Sequence, residues 1–512
     1  YYRDNRSDPD HTYLLLFPSS TPLERLSERT MTSTTQAPGS EHNFQQKVIR
    51  SGQPHWISWV VLTICTALIP VTWAYIEMTP NPPAFLAVIG LFVCAITIGG
   101  AVYMTVYQGQ SYARLFQLFT NLSPTILLMS VFPFISGTLN SQSIGNSREL
   151  MVVLAVSVTV PWIASTVSMP VYEPLATVDR RDTALFYRSF CQLWPPLLLC
   201  SIPVVGLFAL VMLSVKGWGV SETGFFMVGV FTNMLFSQAI IPAQETKRFG
   251  YIFFSWVFYA AFMFWMPQLW FLAPVFALLP HLVLLNSALI GLFQPRALNP
   301  SRITRELLRG ALYGAVLWAD KFLLVLIYAG EINIFVVYVA LIPMVLAQGV
   351  YFASQLDILT RSMEGIRAMI DQAPCNELST QSGGISSSVE QSVASTTLIA
   401  SGLGLGMMLI SAIMGMDHNT EVLALVLAPI VFLMLMLLIF ELSQLQQHRT
   451  AEILSAIHIA VVTISLIALP IPAAYFSLII VDIVLTYLAL RSCRGAFADA
   501  PYELFWKEAA KW

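Results

Sequence analysis

The sequence has little charge: Asp, Glu, Lys and Arg make up only 11% of its 512 residues, whereas 56% are hydrophobic. A soluble globular protein of this length needs far more polar side chains to cover its surface, so this composition excludes the soluble class. The net charge of -3 argues against a broad nucleic-acid surface, because phosphate binding needs clustered Lys and Arg. We therefore expect a lipid bilayer to surround the chain, and we expect no nucleic-acid partner.

Cysteine and the common motifs for metals and nucleotides are scarce as well. The six cysteines form no CxxC pair, which makes a disulfide framework or a zinc site a poor explanation for them. The sequence contains no Gly-rich phosphate loop and no HExxH motif, so a Walker-type ATPase is excluded. We predict no cofactor and no metal, and any transport must draw on an ion gradient, a substrate gradient or a partner.

Long apolar stretches are what the sequence does contain. Fourteen of them, most about twenty residues long, fill residues 56–491. A helix needs about 20 residues to cross a hydrocarbon core, where only helices and closed barrels satisfy their backbone groups. Residues 422–440 show no alternation of period two, which disfavours barrel strands. The pattern predicts an all-α polytopic membrane protein with about 14 transmembrane helices, or 12 if the pairs around Pro267 and Pro470 are misread.

The spans divide the chain into five parts. We expect a disordered cytoplasmic N-terminal segment, ten spans, a cytoplasmic loop, four more spans and a cytoplasmic tail, at residues 1–55, 56–355, 356–395, 396–491 and 492–512. The loop is predicted to begin with an interfacial helix and to end in a flexible linker, because residues 379–388 are rich in Ser and Gly.

Basic residues alternate between the two sides of the predicted spans. Nineteen of the 26 Lys and Arg lie in the even-numbered junctions and the two ends, whereas the odd-numbered junctions hold only Arg148 and Lys216. The positive-inside rule then places both termini in the cytoplasm. The predicted location is the cell membrane.

Ionised side chains within the spans are the most informative single residues, because burying one in a membrane costs about 3 kcal/mol or more. Asp320 and Lys321 lie near the middle of the ninth span, and Asp482 lies near the middle of the fourteenth. One interpretation places them on a water-filled pathway, where they contact an ionic substrate or carry a coupling proton. The other makes them a structural ion pair between packed helices, such as Lys321 with Asp482.

Two histidines are weaker candidates for the same pathway. His281 and His458 have side chains that can relay protons near pH 7, although a single membrane histidine more often donates a hydrogen bond to a neighbouring helix. Gln238 is a further polar residue that either joins helices or lines a cavity.

The sequence also contains a weak internal repeat. The basic segment at 179–188, after the fourth span, has a counterpart of similar character at 357–367, after the tenth. An offset of six spans is typical of two six-helix halves.

A longer motif covers the middle of the ninth span. Tyr313, Trp318, Asp320 and Lys321 form the pattern Tyr-x4-Trp-x-Asp-Lys, and similar stretches follow at 340–344 and 351–357. This segment of about 60 residues resembles the Pel exopolysaccharide membrane exporter family, a branch of the multidrug/oligosaccharidyl-lipid/polysaccharide flippase superfamily. The resemblance implies two pseudo-symmetric six-helix bundles plus extra helices, arranged around a central cavity that the charged pair faces.

The chain departs from that family in two respects. Gln355 and Asp357 stand where an acidic residue is expected at the exit of the tenth span, and fourteen spans exceed the twelve that many superfamily members have. These departures concern the substrate more than the fold.

The expected function is therefore a non-enzymatic flippase that exports a polysaccharide or a lipid-linked glycan by alternating access, and a membrane-associated glycosyltransferase complex is an expected partner. The candidate pathway residues are Asp320, Lys321, Asp482, Trp318, Tyr313 and His281. An ion-coupled small-molecule antiporter and a non-transporting scaffold remain alternatives. A membrane glycosyltransferase or polymerase is disfavoured, because the odd-numbered loops at 330–331 and 416–420 leave little room for catalytic acids.

Overall fold

The computed structural model describes residues 55–79, 85–107, 111–175, 178–180, 182–328, 334–356, 375–411 and 420–509. The sequence prediction for residues 1–54 and for the interfacial helix at 357–371 lies outside these described ranges.

Helices account for almost all of the first half. It contains α1 (His55–Met78), α2 (Phe85–Tyr107), α3 (Ser111–Ser141), the hairpin strands β1 (Ser143–Ile144) and β2 (Ser147–Arg148), α4 (Glu149–Leu175), α5 (Thr183–Val215), α6 (Val220–Glu245) and α7 (Phe249–Trp265). A broken segment follows, with a 3-10 turn (Pro267–Leu272), α8 (Ala273–Ala277), α9 (Leu279–Leu284) and a second 3-10 turn (Asn286–Phe293).

The second half is built in the same way, from long helices with short connections. It contains α10 (Pro300–Tyr328), α11 (Ile334–Val350) with a π-helical last turn (Tyr351–Gln355), α12 (Cys375–Ser411), α13 (Thr420–Gln444), α14 (His448–Ala468) and α15 (Ile471–Ala509).

Length and composition of these helices agree with the predicted class. Twelve helical segments in the described ranges are long and apolar enough to cross a membrane, and Phe249–Trp265 and Val339–Gln355 are shorter apolar helices. The prediction of an all-α polytopic membrane protein is therefore confirmed.

The Ser/Gly-rich stretch at 379–388 differs from its prediction as a flexible linker. It belongs to α12, which begins at Cys375. Ser382 is buried and donates a hydrogen bond to the backbone oxygen of Phe497 on α15, and Ile385 is buried one turn later. Small side chains allow membrane helices to approach closely, so a composition that suggests a linker also suits a packed helix. The predicted tail is likewise helical, because α15 continues through it to Ala509.

Proline explains the broken segment at 267–293. Pro267, Pro274 and Pro280 each lie in the first turn of one of its short helices. Proline has no backbone N–H and a fixed φ angle, so it starts a helix readily and interrupts one that is already running. The sequence pattern placed two separate spans here, at 250–271 and 273–293, and the structure has α7 followed by this chain of short turns.

Hydrogen bonds fix where the broken segment begins and ends. The indole N–H of Trp270 donates to Glu149 Oε1 at 3.0 Å, at the start of α4. The backbone N–H of Arg296, just past the segment, donates to the backbone oxygen of Gln192 at 3.0 Å, on α5 near its start. The segment therefore runs from the end of the molecule where α4 begins to the end where α5 begins.

Two hydrophobic cores divide the helices. The first bundle is formed by α3 to α7 and the broken segment, and the second by α10 to α15. Helices α1 and α2 pack on α12 of the second bundle. Helix α10 contributes buried residues to both cores, Phe322 to the first and Leu324 to the second, and it packs most extensively on α4.

The same turn joins α6 to α7 and α13 to α14. Lys247 and Gln446 have positive φ angles of 57° and 62°. In each turn the next backbone N–H closes the helix, from Arg248 to Ala243 at 2.8 Å and from Gln447 to Leu442 at 2.9 Å. The two turns are 199 residues apart, which is six of the predicted spans. For any residue of α6 or α7, we call the residue 199 positions later its equivalent in the second bundle. The matched turns agree with the predicted offset of six spans.

Candidate functional site

Helix α10 presents an uncharged face to the first bundle. Gly310 lies so close to α4 that a Cβ atom there would come within 2.8 Å of the backbone oxygen of Ser165. The indole N–H of Trp162 on α4 donates to the backbone oxygen of Ala311 at 2.8 Å, and the Trp162 ring packs edge-on against Phe322. Small and aromatic side chains therefore hold α10 against the first bundle.

The charged pair on α10 points into the second bundle instead. Asp320 and Lys321 are 0% and 2% exposed, and Lys321 Nζ lies 2.9 Å from Asp320 Oδ1. Tyr475 on α15 donates its hydroxyl hydrogen to Asp320 Oδ2 at 2.9 Å. The Lys321 ammonium also lies 5.2 Å from the centre of the Phe432 ring on α13, within range of a cation–π interaction. Neighbouring residues on a helix point about 100° apart, so the long lysine side chain must fold back to reach its own neighbour.

A second ionisable pair adjoins the first. His458 on α14 and Asp482 on α15 are both fully buried, and His458 Nδ1 lies 2.9 and 2.8 Å from the two carboxylate oxygens of Asp482. The Phe432 ring packs edge-on against the His458 ring with centres 5.1 Å apart, and Asp482 interacts electrostatically with Asp320. We call these six residues of α10, α13, α14 and α15 the charged cluster: Asp320, Lys321, Phe432, His458, Tyr475 and Asp482.

The charges of this cluster balance only when it holds a proton. Two carboxylates carry two negative charges and a protonated Lys321 carries one positive charge, so neutrality of the four ionisable side chains requires one further proton among them. An uncompensated charge in a low-dielectric interior costs several kcal/mol, about 3 on insertion scales.

The structure places the predicted site residues in three locations. Asp320, Lys321 and Asp482 come together in the charged cluster, although the considered Lys321–Asp482 ion pair does not form. Trp318 and Tyr313 are half-buried on α10.

Tyr313 lies outside the charged cluster. It interacts with Arg309, whose guanidinium bridges Glu306 at 2.6 Å and Glu452 of α14 at 2.8 Å.

His281 lies in the first bundle, away from the charged cluster. It is 1% exposed, and its ring centre is 6.0 Å from that of Phe236. Within the described part of the chain, neither ring nitrogen has a hydrogen-bond partner. Its predicted role in a pathway stays a prediction.

Sequence reasoning did not select Tyr475 and Phe432, and it assigned His458 no partner. A usable signal existed for Tyr475, which lies seven residues before Asp482 and therefore on the same face of α15. Phe432 lies in a run of apolar residues and carries no such signal. The resemblance implied that the charged pair faces a central cavity. In the structure, α13 and α15 instead enclose both side chains on the side of α10 away from the first bundle.

A metal site finds no support in the described ranges, where no group of three or more His, Cys, Asp or Glu side chains could hold an ion. Comparisons with protein-family models, with curated proteins and with solved structures find no match for this chain. The resemblance to the Pel exporter family rests on the ninth and tenth spans alone.

Proposed function

We propose that this chain is a membrane transporter of the flippase kind, which exports a polysaccharide or a lipid-linked glycan by alternating access. The observation that carries the proposal is an enclosed ionisable cluster centred on α10, a helix whose buried residues belong to both hydrophobic cores. Ionisable groups inside a membrane bundle are costly to bury and commonly mark substrate or ion pathways. Transporters with two structural repeats place such groups near the bilayer midplane.

Fourteen crossings with both termini in the cytoplasm form part of this proposal. Backbone and side-chain contacts support the alternation in the first bundle. Glu222 at the start of α6 accepts the Asn146 N–H from the β1–β2 hairpin at 2.7 Å, so these two odd-numbered junctions lie at one end. Arg180 and Glu245, from the fourth and sixth junctions, form an ion pair of 2.9 Å at the other end. This grouping matches the sides that the basic residues predict, and the proposed location is the cell membrane.

The proposed mechanism is rocking of the two bundles about the packed faces of α10 and α4. In the described arrangement Lys321 and Asp320 neutralise each other inside the second bundle. Movement of α10 against α13 and α15 would separate them, and the freed charges would then engage the charged sugar or pyrophosphate groups of a hydrated substrate. The substrate supplies the interaction energy that the separated pair loses, which is the differential affinity that any ligand-driven change requires.

A second candidate function is an ion-coupled small-molecule antiporter on the same fold. The His458–Asp482 pair favours it, because a buried imidazole–carboxylate pair exchanges a proton without any large substrate. The two functions differ in cargo. Vesicles that contain the purified protein would flip a fluorescent lipid-linked oligosaccharide in the first case, and would extrude a cationic dye under a pH gradient in the second.

The charged pair provides the decisive test of the transporter proposal. Asp320→Asn and Lys321→Ala each should abolish flipping of the fluorescent lipid-linked oligosaccharide, with the protein still inserted in the vesicle membrane. The double variant Asp320→Asn/Lys321→Gln removes both charges and restores internal neutrality, so it should fold as well as the wild type and still fail to transport.

The control is Glu421→Gln, which changes a half-buried carboxylate at the far end of α13. It should transport like the wild type. Normal transport by the neutral double variant would reduce the pair to a structural role and contradict the proposal.

A further inference from the structure

Glu441 is a buried carboxylate that lies outside the charged cluster. Glu441, near the end of α13, is 1% exposed and accepts a hydrogen bond from the hydroxyl of Tyr351. Tyr351 opens the π-helical turn that ends α11. Such turns are rare and occur frequently at functional sites. The equivalent residue of the first bundle is Pro242, so the turn between the two helices forms without any carboxylate at this position.

Glu441 differs from its neighbouring acid in how its charge is compensated. Glu390 on α12 is held by the guanidinium of Arg494 in a two-pronged ion pair, with distances of 2.6 and 2.7 Å. Among the described residues, no Lys or Arg side chain forms an ion pair with Glu441. Its hydrogen-bond partner is the neutral hydroxyl of Tyr351. A buried acid without a cation partner is of the kind that forms proton relays in membrane bundles.

A short series of ionisable groups connects Glu441 with the aqueous surface. Cys493 on α15 lies against α13, where its Sγ is 3.8 Å from the backbone oxygen of Leu438, one turn before Glu441. Its neighbour Arg494 holds Glu390 and has a side chain that is 56% exposed. These two neighbours on α15 therefore connect the exposed Glu390–Arg494 pair with the end of α13 that holds Glu441.

The neighbouring helices α10 and α14 have charged side chains at this end as well, but their ion pairs do not include Glu441. At this end of the second bundle, α10 contributes Arg309 and Glu306, and α14 contributes Glu452. These three groups pair with one another and interact with Tyr313, which lies beside Ser443 of α13. Among the described residues, the hydrogen-bond partner of Glu441 is thus Tyr351.

We propose that Glu441 is a proton-binding site that exchanges with the aqueous face through Cys493 and Glu390, and that it carries the coupling proton of the transporter. The inference rests on the proposed function and adds its coupling ion. The Glu441 carboxylate takes one proton from water at the Glu390–Arg494 end and becomes a neutral carboxylic acid. It returns the same proton to water, and no other bond forms or breaks. Tyr351 donates to the ionised form and accepts from the protonated form.

The binding step can be measured without any substrate. Infrared difference spectra of the purified protein, recorded between low and high pH, should contain a carboxylic-acid C=O band from Glu441. Glu441→Gln should lose that band, and Glu421→Gln, at the opposite end of the same helix, should keep it. Retention of every C=O band in Glu441→Gln would overturn the proton-binding site, whether or not the protein is a transporter.

The coupling step needs transport and uses the same two variants in vesicles. Glu441→Gln should lose acceleration of oligosaccharide flipping by an imposed pH gradient, yet should keep exchange of labelled for unlabelled substrate at equal pH. A pH gradient that accelerates the Glu441→Gln variant as much as the wild type would overturn the coupling role. Absence of flipping and exchange in the wild type would instead contradict the proposed function, and the infrared result would stand independently.

Discussion

The two bundles contain different chemistry at equivalent positions. In the first bundle, the hydroxyl of Tyr259 on α7 donates to Asn233 Oδ1 on α6 at 3.2 Å. The equivalent residues of the second bundle are His458 and Phe432, whose rings pack together while His458 turns its Nδ1 to Asp482. A neutral hydrogen bond therefore stands where the other bundle has an ionisable pair.

Away from the helix ends, where Glu149 and Glu222 lie buried, the first bundle is joined by a further set of neutral hydrogen bonds. Gln238 accepts a hydrogen bond from the Trp194 indole at 3.1 Å and donates to the backbone oxygen of Val167 at 3.3 Å, which joins α4, α5 and α6. Such bonds hold membrane helices together without a charge to bury. A similar set of packed helices can thus be joined between its ends by neutral hydrogen bonds. The fold therefore does not require a charged cluster at the equivalent positions of the second bundle, which favours a functional role for that cluster.

The largest expected effect comes from leaving one charge of the cluster unpaired. Lys321→Met removes the cation beside the buried Asp320 carboxylate, and such a change costs about 3–5 kcal/mol. Adding Asp320→Asn should recover most of that loss, because it removes the uncompensated charge. Chemical unfolding of the purified variants in detergent would measure both steps.

The matched control for that pair is Arg180→Gln in the first bundle. Its ion pair with Glu245 lies at the surface, with the Arg180 side chain 55% exposed, so the expected loss is about 0–1 kcal/mol. Equal losses in Arg180→Gln and Lys321→Met would show that the two bundles do not differ in how they hold charge.

A smaller effect is expected where α10 meets the first bundle. Gly310→Ala adds a Cβ atom within 2.8 Å of the α4 backbone, which must shift, and overpacking of this kind costs about 1–3 kcal/mol. Gly224→Ala on α6 meets nothing within 4 Å and should instead stabilise the protein by up to about 1 kcal/mol, because alanine favours the helix. Thermal unfolding would compare the two, and a shift of the same sign for both would contradict a tight α10–α4 contact.

The smallest expected effect tests the neutral core. Gln238→Leu removes the hydrogen bonds to Trp194 and Val167 and should cost about 1 kcal/mol, in line with interhelical bonds in other membrane proteins. Flipping of the fluorescent lipid-linked oligosaccharide should continue at a rate close to that of the wild type. Complete loss of flipping in a folded Gln238→Leu protein would place functional chemistry in the first bundle as well.

The length of the apolar stretches and the cost of burying a charge in a membrane predicted most of the architecture from the sequence. The apolar runs marked the helices, and the burial cost of Asp320, Lys321 and Asp482 singled out residues that the structure brings into one cluster. The partners could not be predicted, because His458 and Asp482 lie on different helices and meet only through packing. Composition also failed for α12, where the buried Ser382 bonds to α15 within a stretch whose composition a local reading cannot distinguish from that of a linker.

The hydrogen bonds at the two ends of the first bundle have a consequence for motion. Glu222 ties α6 to the hairpin at one end, and Arg296 ties the start of the 296–299 coil to α5 at the other. Because these hydrogen bonds connect its elements at both ends, we expect the first bundle to move as a rigid unit. On the carboxyl-terminal side of this bundle, the irregular residues at 297–299, between the Arg296 hydrogen bond and the first turn of α10, are where the chain can bend as the bundle moves relative to α10.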